Sequence, residues 1–117
     1  MKPAAARSRA VTLDRAHLSR YTMENPELER EIIALFLQQL PITGAMLKSA
    51  ASEPDWRLAV HTLKGSAAAV GAARINALAV ELEQYGFGVD KGAIDTLLTA
   101  LDRAFAQFRK AVGRIHK

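Results

Sequence analysis

The sequence predicts an all-α protein: an antiparallel four-helix bundle with a short extra N-terminal helix. Three observations lead there. Apolar residues recur at intervals of three and four through most of the chain, which is the period of a helix with one face turned to a core. Half of the residues are hydrophobic, alanine and leucine dominate, and no alternating β-branched run marks a strand. Glycine and proline are sparse. A length of 117 residues suffices for one domain and one core, and no internal repeat or second domain is visible.

Residues 1–11, with Lys2, Arg7 and Arg9 among small side chains, read as a disordered basic tail, and residues 12–117 as the domain. A short helix is expected from about Asp14 to Tyr21, with Thr12 as N-cap and Leu18 and Tyr21 facing inward. The next start is sharper. Asn25 offers a cap, Pro26 suits the first helical position, and Glu27 and Glu29 complement the positive helix end. This helix carries Leu28, Ile32, Leu35, Phe36 and Leu40 over a wide apolar arc. Pro41, which lacks a backbone donor, should kink it before it continues through Met46 and Leu47 to about Ala51. Ser52-Glu53-Pro54-Asp55 forms a turn and cap, and the third helix runs to Val70 and stops at Gly71. A fourth helix spans about Ala73 to Tyr85, with Ile75, Leu78, Leu82 and Tyr85 on one side. Gly86-Phe87-Gly88-Val89 breaks it, and Asp90 or a neighbour caps the last helix. There Ile94, Leu98, Leu101, Phe105, Phe108, Val112 and Ile115 alternate by four and three. Such a stripe can zip two chains together or form the inward seam of a bundle; short loops to neighbouring amphipathic helices favour the seam and a monomer.

The third helix carries the chemistry. Its apolar stripe is Trp56, Val60, Leu63, Ala67 and Val70, and at about 100° per residue His61 points well away from it. His61 shares its face with Arg57, Lys64, Gly65 and Ala68. An isolated helical histidine is usually a solvated surface group or a satisfied core group, so its surroundings decide. Glycine inside a helix costs roughly 1 kcal/mol relative to alanine. Gly65 lies almost opposite the stripe, where no core neighbour is expected, so access to the imidazole one turn earlier is the better reason for it.

The stretch Ala59-Val60-His61-Thr62-Leu63-Lys64-Gly65-Ser66-Ala67, followed by Val70-Gly71-Ala72, resembles the histidine phosphotransfer (HPt) domain of phosphorelays. The Phe36–Pro41 segment, Asp55-Trp56 and Leu78–Glu83 are similar too, so the likeness covers roughly residues 12–112. It implies that His61 is the phosphorylated residue, taking a phosphoryl group from a receiver-domain aspartate and passing it to another receiver, from hybrid kinase to response regulator. An ordinary imidazole titrates near pH ~6.5, so its neutral nucleophilic form is abundant at neutrality. Lys64, at i+3, can meet phosphoryl oxygens and offset their charge. In the family a glutamine or glutamate 22 positions after the histidine bonds the imidazole; here that is Glu83, with Gln84 beside it, and either could face the ring. A partner would dock around Arg57, Ala68 and Ala69.

Other features set limits. No Gly-rich nucleotide-binding segment is present, so a phosphocarrier without kinase activity of its own is expected. The chain needs no cofactor; Mg2+ belongs to the partner receiver domain, whose paired aspartates this sequence lacks. Cysteine is absent, which removes disulfide and thiolate chemistry and fits a reducing, cytoplasmic setting. His17, His61 and His116 fall on three separate helices without the pairing a metal site uses. No apolar run approaches the ~18 residues of a membrane span, and the basic N-terminus lacks the apolar centre of a secretory signal. The net charge of +4 is modest and gathers at the chain ends. A nucleic-acid-binding bundle is thus a rival reading on charge, though no aromatic residues interleave the basic ones. A non-phosphorylated helical adaptor is the other.

Overall fold

A computed structural model describes residues 11–115, and the expected tail over 1–10 and His116 lie outside them. Five helices account for the described fold: α1 (Arg15–Tyr21), α2 (Pro26–Ser49), α3 (Glu53–Val70), α4 (Ala73–Glu83) and α5 (Lys91–Ile115). Among the described residues there is no strand.

Helix starts follow local hydrogen-bond chemistry. Asp14, not Thr12, caps α1: its backbone is extended and its carboxylate accepts from the His17 amide at 3.0 Å, three residues on, where a first-turn N–H lacks a helical partner. Asn25 caps α2 as expected, its side-chain oxygen accepting from Glu27 N at 3.0 Å and Leu28 N at 3.1 Å, with Pro26 behind it. Ser52 caps α3 through Asp55 N at 3.3 Å. Asp90 caps α5 through Ala93 N at 3.1 Å. At α4 no side chain caps; the Val11 carbonyl instead accepts from Arg74 N at 2.9 Å, so Val11 is tied down and is not part of a free tail.

The ends of α3 and α4 position the bundle. Gly71 closes α3 at φ +81°, and its carbonyl accepts from Asp14 N at 2.7 Å. The His17 ring donates through Nε2 to the Ala69 carbonyl at 3.1 Å. These bonds pin α1 across the α3–α4 corner. Helix α4 ends at Glu83, short of the expected Tyr85; Tyr85 lies beyond it, half-buried, with its carbonyl accepting from Trp56 Nε1 at 3.0 Å.

Helix α3 packs against α4, α2 and α1, while α5 closes on α4 and α2. Trp56 meets Tyr85, and Lys64 meets Asn76 and Glu83, so α3 and α4 run in opposite directions. The α3 stripe is buried throughout: Trp56, Ala59, Val60, Leu63, Ala67 and Val70 all face the core. Phe36 of α2 and Phe108 of α5 meet edge to face, centroids 5.1 Å apart, the geometry aromatic quadrupoles favour. On α5, Leu97 is buried and Leu98 only half-buried, a small rotation from the expected stripe.

Helix α2 departs most from expectation. Ile33, Phe36, Leu40 and Leu47 fill the core, but Leu35 is 60% exposed, Ile42 53% and Met46 38%. Tyr21 of α1, expected inward, is 52% exposed, and Thr22 is buried in its place with its hydroxyl donating to the Leu18 carbonyl at 3.0 Å. The wide arc is therefore two faces, one in the core and one outward. For the same reason α2 is long and apolar enough, by length and composition, to cross a membrane, which corrects the expectation that no segment is; a third of that apolar window is buried within the protein. Pro41 sits exposed within α2 and the helix continues past it to Ser49.

Candidate functional site

The site stands on the outward side of α3, opposite the buried stripe. His61, Thr62, Gly65 and Ala68 are exposed there, and Lys64 and Ala69 are half-buried at its edges. Because six buried residues anchor the helix beneath, the orientation of His61 follows from the core and not from a loop. Among the described residues no side chain or backbone group is hydrogen-bonded to the His61 ring. The ring is exposed to solvent and open to an approaching molecule.

Gly65 explains part of that openness. A Cβ built there meets nothing within 4 Å. Gly44 of α2 differs: a Cβ there lies 3.4 Å from the Phe105 ring, so that glycine serves a close helix crossing. No internal neighbour requires Gly65, and its cost in helix propensity, about 1 kcal/mol, is not offset by packing within the chain.

Electrostatics are concentrated on the α4 side. Lys64 Nζ lies 2.9 Å from both oxygens of Glu83 on α4. Asn76 donates from Nδ2 to the Lys64 carbonyl at 2.9 Å, fastening α4 to α3 one turn below the histidine. The expectation that Glu83 or Gln84 bonds the imidazole is not what the geometry gives. Both Glu83 oxygens are committed to Lys64, and Gln84, exposed, is the residue that caps the end of α4.

One turn before His61, Arg57 pairs with Glu53 at 3.0 Å on the exposed surface, where such a pair contributes little to stability. Glu53 also accepts from the Phe87 amide at 2.8 Å, tying the 86–89 loop to the start of α3. That amide bond, with the Arg57 guanidinium second, holds the Glu53 carboxyl below its usual 4.5.

The α2 side of the site is apolar. Leu58, at i−3 from His61, is 59% exposed and shares a small cleft with Met46, Ser49, Ala50 and, at its edge, Asp55. Further along, Tyr21, Leu35 and Gln39 line a second cleft with Ser66 and Ala69. Leu35, Gln39, Ile42 and Met46, spaced four, three and four, form one outward ridge of α2 beside the histidine face. Sequence reading missed this ridge; its signal was an apolar arc on α2 wider than a single core face needs.

The Hpt domain family matches residues 31–113, which reach from α2 into α5 and include His61, Lys64, Gly65 and Glu83. The chain belongs to the Hpt domain family. Hpt domains are helical phosphocarriers that act through histidine phosphotransfer in phosphorelays and interact with receiver domains, and they are not kinases. Comparison with curated proteins and with solved structures found no match.

Proposed function

We propose that His61 is the phosphoacceptor of this Hpt domain, and that the chain shuttles a phosphoryl group between receiver-domain aspartates, from a hybrid histidine kinase to a response regulator. The observation that carries this reading is an exposed imidazole, free of hydrogen bonds among the described residues, standing between an open glycine position and a lysine on a rigid helix of an Hpt domain.

In the forward step a His61 ring nitrogen attacks phosphorus of the receiver's aspartyl phosphate. The N–P bond forms as the P–O bond to the aspartate breaks, and the carboxylate leaves with the electron pair. The reverse step on a second receiver returns the aspartyl phosphate. Lys64 offers the carrier's own positive charge to the transferring group, and a Mg2+ ion bound by the receiver would offset the rest of its negative charge. Docking uses the small side chains Ala68 and Ala69, Arg57 at the rim, and the apolar ridge of Leu35, Ile42 and Met46 on α2 together with Leu58 of α3. A receiver helix laid along that ridge buries apolar surface at roughly 25 cal/mol per Å2. The carrier works as a monomer in the cytoplasm, where receiver domains meet it by diffusion, and it takes no cofactor.

The test is direct. A receiver domain charged with labelled phosphate is mixed with the protein, and label is expected on a site that is acid-labile and base-stable, as phosphohistidine is. His61→Gln abolishes it. Equal labelling of that variant would refute the assignment, and no labelling of the wild type by any phosphoreceiver would favour the adaptor reading.

A further inference from the structure

The proposal rests on the reading of His61 as phosphoacceptor and adds a role that reading leaves open: we infer that Glu83 is a positioning residue acting through Lys64, parking the ammonium beside the imidazole in the uncharged carrier and competing with the phosphoryl group for it afterwards.

Three observations lead there. Lys64 Nζ is held symmetrically, 2.9 Å from each Glu83 oxygen, so the carboxylate is fully turned to the lysine and not to the ring. The lysine and glutamate side chains are 31% and 41% exposed, so the pair is accessible and can open without unpacking the core. Lys64 sits at i+3 from His61, one turn away on the same face, within the reach of a four-carbon stem.

Phosphorylation changes the competition. A phosphoryl group on His61 brings nearly two negative charges and three acceptor oxygens next to a lysine already paired with one carboxylate. The ammonium can turn to the phosphoryl group only by leaving Glu83, wholly or in part. The new N–P bond and the broken aspartyl P–O bond are the same in either case, and no proton is exchanged between Lys64 and Glu83. What Glu83 changes is how strongly the carrier holds its cargo. A carrier that must release the group to a second receiver gains from a lysine that is partly occupied, because tight retention would stall the onward step.

The test is a set of four proteins: wild type, Glu83→Gln, Lys64→Ala and the double variant. Each is equilibrated with one receiver domain charged by acetyl phosphate, and the ratio of phosphohistidine to phosphoaspartate is measured. Glu83→Gln keeps the side-chain shape and frees the lysine; it is expected to shift the ratio toward phosphohistidine by about 1.5- to fivefold, the scale of an exposed ion pair. Lys64→Ala shifts it the other way. In the Lys64→Ala background the effect of Glu83→Gln falls to less than half on a logarithmic scale, which a purely structural role or a direct Glu83–imidazole bond would not produce. Unchanged partition in Glu83→Gln, or an equal shift in both backgrounds, overturns the inference while leaving His61 as the acceptor. Absence of label on wild-type His61 overturns the underlying reading, and this inference with it.

Discussion

Replacing Gly65 separates stability from transfer in opposite directions. The added Cβ meets nothing within 4 Å, so no clash and no new packing accompany Gly65→Ala, and helix propensity is what changes. Alanine in a helix interior is favoured over glycine by about 0.5–1 kcal/mol. For a domain of this size that corresponds to a rise in melting temperature of roughly 2–5 °C. Gly65→Leu should gain nearly as much, since leucine is almost as good a helix former. Its side chain, however, occupies the space one turn from His61 that a receiver needs. Transfer from a charged receiver is expected to fall at least about tenfold, equivalent to roughly 1.4 kcal/mol at the transition state. Thermal melts by circular dichroism and label transfer under single-turnover conditions measure the two effects on the same samples. A lower melting temperature in Gly65→Ala would mean that the position is packed. Unchanged transfer in Gly65→Leu would mean that the gap serves something other than access.

Further expectations follow from other parts of the fold. Gly71→Ala should be strongly destabilising: at φ +81° an L side chain costs about 1–2 kcal/mol, and its Cβ would also lie 2.7 Å from the Asp14 carbonyl oxygen, so denaturant midpoints should fall and α1 should detach. Because the Glu53 carboxyl is held below its usual 4.5, its tie to the Phe87 amide is fully present above that pH and is lost as pH falls through the lower folded value; the Phe87 amide resonance should titrate there in the wild type and not in Glu53→Gln. Leu35→Glu and Leu58→Glu, both on exposed positions, should leave stability within about 0.5 kcal/mol while weakening receiver docking in a pull-down or titration. Intact docking by both would exclude the apolar ridge.

How far the sequence reads depends on whether the rule involved is local. The α3 stripe, the Asn25–Pro26 start of α2 and the Gly71 stop rest on contacts within a few residues, and each stands where spacing and residue type put it. So does His61 on the outward face, since a step of about 100° per residue turns it off the Val60–Leu63 stripe. The Asp14 cap was misplaced by two residues because Thr12 and Asp14 are both competent acceptors, and only the extended backbone at Asp14 decides between them. Tyr21 reads as inward, and Leu35 as part of one apolar arc with core residues, because hydrophobicity reports affinity for an apolar surface without saying whose surface it is. The partner of Glu83 lies 19 residues earlier on another helix, and the register of α4 against α3, set by Asn76 and Trp56, has no signature in the sequence of either helix.

The His61 imidazole rides on a helix whose opposite face, from Trp56 to Val70, is buried in the core. Such a mount is stiff: it presents one fixed approach angle to whatever arrives and has no loop with which to adjust. Any fitting on encounter must then come from the visitor, whose loops can move. If His61 is the acceptor proposed above, several receivers could share one berth on those terms, ordered by their own charge state and concentration and not by a change of shape in the berth.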